Sequence, residues 1–163
     1  MKNEIFIGGR EKGFVILRTL LLLGAEIVHA YILKEDEHEI EHVSSKIIKL
    51  CKKRNIPYTL AKSIKDSIKD IQKMKPVLIT VSGWRTMIPP EIVRLPKFGC
   101  VAFHESLLPK YRGFAPINWA VINGERETGV TLFRLDDHVD AGDIIGQKSV
   151  RIGENATAGE IYK

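Results

Sequence analysis

Cysteine is scarce in this chain: Cys51 and Cys100 are the only two in 163 residues, and they form no CxxC pair. Both sit among apolar neighbours, so buried free thiols are expected in place of a disulfide framework or a thiolate metal site. Long apolar runs are missing as well. The longest, around Leu20–Leu23, falls far short of the roughly 20 residues that span a bilayer. The residues Met1-Lys2-Asn3-Glu4 lead directly into a strand pattern without a signal-peptide core or an arginine-rich transit segment, so the default expectation is a cytoplasmic protein with no membrane partner. There is no internal repeat, low-complexity segment or interdomain linker. A chain that is 44% hydrophobic and 28% charged is too apolar for disorder and long enough for one domain with a proper core. One domain over 1–163 is therefore expected. The pattern Thr157–Tyr162 resembles the first turn of a helix that stops at once, as at a domain edge.

Charge is present in quantity, with a net +5. Most of the excess comes from Lys46, Lys49, Lys52, Lys53 and Arg54, then Lys62, Lys65, Lys69, Lys73 and Lys75. No aromatics interleave with them, so a solvated helix face is expected and no nucleic-acid partner. An anionic small substrate would also profit from this field.

The apolar pattern alternates between two periods. Short apolar runs at Ile5–Ile7, Ile27–Leu33, Tyr58–Leu60, Val77–Val81 and Gly99–Phe103 read as strands. Between them, Phe14–Leu23 (closed by Gly24), Glu39–Arg54 and the segment carrying Ile64, Ile68 and Ile71 have helical spacing. Further on, Pro116–Ile122 reads as a helix, and Thr128–Leu135 and Ile144–Ile152 as a strand pair. Strands of continuous apolar character alternating with helices predict an α/β fold. It is a Rossmann-like, mostly parallel sheet with helices on both faces and an antiparallel pair near the C-terminus. Ligands of such sheets bind beyond the carboxyl ends of the strands. That region collects the turn after the first strand, the turn after the fourth, and His104 after the fifth.

Several motifs have plain readings. Gly8-Gly9-Arg10-Glu11-Lys12-Gly13 is neither a dinucleotide fingerprint nor a P-loop, and reads as a tight strand-to-helix turn. His38 and His42 are four apart but lack a third ligand, so no metal site is expected. His29, inside a strand, reads as structural. The acidic loop of Asp136, Asp137, Asp140 and Asp143 lacks EF-hand spacing.

His104 stands where an apolar strand gives way to a Pro/Gly-rich loop, a place from which imidazole can exchange protons with a substrate. Its surroundings are Gly99-Cys100-Val101, then Ser106-Leu107-Leu108-Pro109-Lys110-Tyr111-Arg112-Gly113, Ala115-Pro116, Trp119-Ala120, Asn123-Gly124-Glu125, Thr128-Gly129-Val130-Thr131 and Asp140-Ala141-Gly142-Asp143. So many fixed points in order resemble the folate-dependent formyltransferase family. The resemblance implies transfer of a formyl group from N10-formyltetrahydrofolate to a primary amine. It also implies a catalytic Asn, His and Asp. The latter two fall on His104 and Asp140, while the Asn position holds Ala102, which has no donor to offer an oxyanion. The resemblance places the folate pocket on Gly83, Trp84, Arg85, Thr86, Met87 and Ile88, and on Asp136, Asp137, His138 and Val139 up to Asp140. Substrate contacts are expected at Gly9, Arg10, Lys12, Ser106, Lys110, Arg112, Gly113 and Pro116; Arg10, Lys12 or Lys110 would take a diphosphate.

The wording of Tyr111–Pro116 and Trp119–Glu125 is closer to the sugar-nucleotide and methionyl-tRNA branches than to the glycinamide ribonucleotide branch. The expected acceptor is a nucleotide-linked amino sugar. The alternatives are methionyl-tRNA or glycinamide ribonucleotide formylation, formyltetrahydrofolate hydrolysis, and a catalytically silent folate-binding module.

Overall fold

The computed structural model describes residues 3–36 and 42–162. Among these, seven strands and six helices follow in the order β1 (Glu4–Gly8), α1 (Arg10–Leu22), β2 (Ile27–Leu33), α2 (Ser44–Lys53), β3 (Tyr58–Ala61), α3 (Ile68–Met74), β4 (Leu78–Ser82), α4 (Pro90–Val93), β5 (Cys100–His104), α5 (Pro116–Ile122), β6 (Glu127–Arg134), β7 (Ile144–Arg151) and α6 (Ala158–Ile161). A 3-10 turn, Lys65–Ser67, leads into α3. The strand order is β3-β2-β1-β4-β5-β6-β7. Strand β1 pairs in parallel with β2 and β4, β2 in parallel with β3, and β6 antiparallel with β7. This is the mostly parallel α/β architecture expected, with its antiparallel pair near the C-terminus. The chain divides into two compact units, Met1–Val101 and Ala102–Lys163.

In the first unit β1 is closed off on both faces. Ile5, Phe6 and Ile7 are all fully buried, although successive side chains point to opposite sides of a sheet. Phe6, Ala30 and Ile32 pack with Leu17 of α1 and Val43, Ile47 and Cys51 of α2. The other face belongs to α3, whose Asp70 and Met74 share a cavity with His29, Tyr31 and Thr59. His29 is half-buried, with Nε2 2.9 Å from Thr59 Oγ1 and its ring 4.6 Å from Tyr31. Burial lowers its pKa, opposed in part by Asp70. Burial likewise pushes the thiols up, Cys51 to about 11 and Cys100 to about 12. The ten basic residues that dominate the charge are all exposed. Among the described residues no helix is long and apolar enough to cross a membrane.

Two helix starts differ from the sequence reading. Helix α1 begins at Arg10, four residues before Phe14. Gly9 donates its N–H to the Ser82 carbonyl (3.1 Å), and Arg10 adopts φ +58, so the chain turns into the helix at once. Gly13, the last residue of the expected strand-to-helix turn, lies inside the first turn of the helix, where any Cβ would come 2.9 Å from the Ser82 carbonyl oxygen. Helix α2 begins at Ser44, later than the expected Glu39, which lies outside the described residues together with His38. Its first turn is capped from a distance. Glu35 accepts the Ser44 N–H (2.8 Å) and hydroxyl (2.7 Å), satisfying a donor that the helix start leaves open. The Glu35 side chain is only 6% exposed. His42 Nδ1 lies 3.6 Å from the same carboxylate. The four-residue α4, opened by Pro90, carries no helical periodicity that the sequence would display.

In the second unit β6 buries Thr128, Gly129, Thr131 and Phe133 and exposes Val130, whereas β7 is exposed along its length. Gly129 is required by contact: a Cβ there would overlap the Lys148 carbonyl oxygen and press on Leu107.

Candidate active site

Within the second unit, β5 ends at His104, whose side chain is 8% exposed. Both ring nitrogens face acceptors. Nε2 donates to the Tyr111 carbonyl at 2.8 Å, and Nδ1 lies 3.3 Å from Asp140 Oδ2. A carbonyl can only accept, so the Nε2 proton is fixed; a ring that also carries a proton on Nδ1 places it on the carboxylate. Phe133 meets the imidazole edge to face at 6.5 Å, supplying an apolar wall.

Asp140 reaches this position through a left-handed backbone, φ +47. Its Oδ2 also accepts the Gly113 N–H at 2.8 Å. Gly113 has φ +89, a conformation that glycine adopts at no steric cost. The acidic loop is closed behind Asp140 by a hydrogen bond from Arg134 N–H to Asp143 O (2.9 Å). Gly142 permits this closure, since a Cβ would overlap the Arg134 carbonyl oxygen. Asp136 accepts the His138 N–H at 2.8 Å. Of the loop carboxylates, Asp136 thus serves the backbone and Asp140 serves both the backbone and His104. Among the described residues no group of three or more His, Cys, Asp or Glu is arranged to hold a metal.

The loop between His104 and α5 is fastened from beneath. Thr131, fully buried on β6, donates its hydroxyl to the Ser106 carbonyl (2.6 Å) and accepts the Leu108 N–H (3.1 Å). Gln147 adds bonds to Thr131 Oγ1 (2.9 Å) and the Leu108 carbonyl (2.8 Å). Ser106, also fully buried, spends its hydroxyl on the Lys110 carbonyl at 2.6 Å. Lys110 and Arg112 are exposed, and Pro116 is buried as the first residue of α5. Ala102 is 8% exposed and lies two residues before His104, hence on the same side of β5. The Tyr111 carbonyl, Thr131, Gln147 and Glu125 were not singled out in the sequence as parts of a site. Tyr111, Thr131 and Glu125 stand inside quoted motifs, but backbone acceptors and buried hydroxyls leave no periodic signal.

The remaining expected site residues lie in the first unit. Gly83, φ +70, closes on Gly9 so tightly that a Cβ would overlap the Gly9 carbonyl oxygen and sit 3.3 Å from Lys12 Cγ. The turn after β1 and the turn after β4 are therefore in contact. Trp84 donates Nε1–H to Thr86 Oγ1 at 3.0 Å. Arg85 pairs with Asp36 at 2.7 Å, and Lys62 joins the same carboxylate at 3.0 Å; hydrogen bonds from Lys62 and Arg85 hold the Asp36 carboxyl below its usual range. Met87 is 59% exposed and Ile88 is buried; Arg10 is exposed.

Comparison with known proteins gives the family and the fold. A family model described as formyl transferase matches residues 23–163. The chain is 36% identical over 165 residues to a methionyl-tRNA formyltransferase of Malacoplasma penetrans, covering 99% of this chain and 52% of that protein. It is 38% identical over 156 residues to the bifunctional polymyxin resistance protein ArnA of Wigglesworthia glossinidia brevipalpis, covering 94% of this chain and 24% of that protein. The chain thus spans about half the length of the first relative and a quarter of the second. In fold it is similar to glycinamide ribonucleotide transformylase 1 from Geobacillus kaustophilus, with a TM-score of 0.79 at 21% identity over 99% of this chain and 89% of that one.

Proposed function

The chain belongs to the formyl transferase family, and from that membership we propose that it moves a formyl group from N10-formyltetrahydrofolate to a primary amine, with methionyl-tRNA as acceptor. The observation that carries the reading is the His104–Asp140 pair, 3.3 Å apart and braced by the Gly113 N–H. An amine attacking a formyl carbon develops negative charge on the formyl oxygen and positive charge on nitrogen. Those charges call for a hydrogen-bond donor beside the oxygen and a base beside the nitrogen. His104 Nδ1, the nitrogen not committed to the Tyr111 carbonyl, supplies the proton donor, and Asp140 both balances the imidazolium and takes a proton, directly or through a water.

The formyl donor supplies an activated one-carbon unit and a leaving nitrogen. Its pterin edge suits backbone donors and acceptors, and the half-exposed to exposed chain at 136–139 offers these beside Asp140. In the first unit, Gly83, Trp84, Arg85, Thr86, Met87 and Ile88 remain proposed folate contacts by family membership. Gly9, Arg10, Lys12, Ser106, Lys110, Arg112, Gly113 and Pro116 remain the proposed acceptor contacts. With Ser106 Oγ engaged on Lys110, that residue acts by shaping the loop.

The acceptor is argued from the methionyl-tRNA formyltransferase relative, 36% identical along 99% of this chain. This ranks the nucleotide-linked amino sugar second and reverses the expectation of no nucleic-acid partner. The deciding experiment follows tetrahydrofolate release from N10-formyltetrahydrofolate with methionyl-tRNA, glycinamide ribonucleotide and a nucleotide-linked amino sugar offered in turn. Turnover with methionyl-tRNA, lost in His104→Ala while the circular dichroism spectrum is retained, is the expected result. Turnover confined to another amine would overturn the acceptor. Formyl-donor binding without turnover on any amine would leave a silent folate-binding module.

A further inference from the structure

His104 is oriented by a peptide carbonyl whose own position needs explaining. Tyr111 has φ +56, a left-handed conformation that a non-glycine residue does not hold without support from its surroundings. The support comes from its side chain. The Tyr111 hydroxyl donates to Glu125 Oε1 at 2.8 Å and accepts from Asn123 Nδ2 at 3.2 Å. Lys110 Nζ reaches the same carboxylate at 3.2 and 3.4 Å, so two successive side chains of the loop converge on one group. The peptide before Tyr111 is fixed by Ser106 through the Lys110 carbonyl. Glu125 is itself anchored, its N–H on the Ala120 carbonyl at 3.0 Å after a turn at Gly124, φ +66. Its side chain is 27% exposed. Bonds from Tyr111 first and Lys110 second hold its carboxyl below the ordinary range.

We propose that Glu125 is a positioning residue for His104. By holding the Tyr111 phenol it fixes the left-handed Tyr111 backbone, whose carbonyl anchors the imidazole through Nε2 and leaves Nδ1 as the nitrogen that works with Asp140. The functional weight of this placement rests on the formyl-transfer reading; the placement itself does not. A surface ion pair would contribute little here. The effect runs through geometry, since misplacing a catalytic group by about 1 Å costs on the order of 10²-fold in rate.

The test compares Glu125→Ala, Glu125→Gln and Tyr111→Phe by long-range proton–nitrogen NMR of the ligand-free, isotope-labelled chain and by steady-state kinetics. Wild type is expected to show a slowly exchanging proton on His104 Nε2. Glu125→Ala and Tyr111→Phe should lose that protection, and their kcat should fall roughly 10–100-fold with the KM for the formyl donor held. Glu125→Gln keeps an acceptor for the phenol and should restore most of both signals. An unchanged Nε2 signal in Glu125→Ala would overturn the proposal, as would equal losses in the Ala and Gln variants. Should Glu125→Ala fail to fold, Tyr111→Phe is compared with Asn123→Ala, which removes the phenol's other partner: loss of the Nε2 signal in Tyr111→Phe alone supports the role of Glu125, and equal loss in both overturns it. If wild type transfers no formyl group, the functional reading falls while the NMR comparison still decides the positioning role.

Discussion

Ala102 lies two residues before His104 on β5, so the two side chains share one side of the strand. The resemblance to the formyltransferases expects an amide there, and a methyl group cannot donate. One missing oxyanion donor typically costs about 10²–10³ in rate. Ala102→Asn is therefore expected to raise the rate of formyl transfer by about that factor, with His104 and Asp140 unchanged, as read by tetrahydrofolate release under single-turnover conditions. The site is 8% exposed, so a melting curve must accompany the assay, because overpacking opposes the gain. A rate that stays flat in a folded Ala102→Asn protein would mean that another group already serves the oxygen. The identity of Ala102 was plain in the sequence, as was its relation to His104, because strand periodicity places residues two apart on one side. The Tyr111 carbonyl was not plain, because a backbone acceptor has no residue-type signature.

At the scale of elements, β6 holds the loop after β5 in register through one hydroxyl. Thr131 Oγ1 makes three hydrogen bonds in a fully buried position. Thr131→Val keeps the shape and removes all three, leaving a buried N–H and a buried carbonyl short of a partner. Each such group costs about 1–3 kcal/mol, so a loss of about 3 kcal/mol in urea unfolding is expected. A loss below about 1 kcal/mol would show that the loop is held elsewhere. The strand and helix types were legible because the strands of the first unit are mostly apolar, interrupted by His29 in β2 and Thr59 in β3, and the long helices carry a repeating apolar face. Starts were less legible. Gly13 sits in α1 because of the Ser82 carbonyl, and α2 opens at Ser44 because Glu35, nine residues earlier, caps it. Both decisions are made by groups distant in sequence, which a local pattern does not register.

For the molecule as a whole, Glu4 couples stability to pH. It is 3% exposed on β1 and accepts the Thr80 hydroxyl at 2.6 Å. Burial raises its pKa above the ordinary value, offset in part by that hydrogen bond. The folded chain therefore holds this proton to higher pH than the unfolded chain does. The resulting contribution is fully present below the unfolded value and is lost as pH rises through the folded one. Glu4→Gln keeps the acceptor for Thr80 and removes the charge. It is expected to melt above wild type at neutral pH, with the gap closing toward pH 4; a gap independent of pH would refute the assignment. The sequence by itself determined the α/β class, the order of its elements along the chain and the two buried thiols, which follow from composition and from the two periodicities; the pairing of His104 with Asp140 came from the resemblance to the formyltransferases. Only the tertiary structure decided which atoms meet. The Nε2–carbonyl anchor, the Gly113 brace on Asp140, the Thr131 hub and the Glu125 clamp join residues that are 7 to 27 positions apart. Their positions are set by left-handed turns and by close approach of strands, and neither is written in the local alternation of apolar and polar residues.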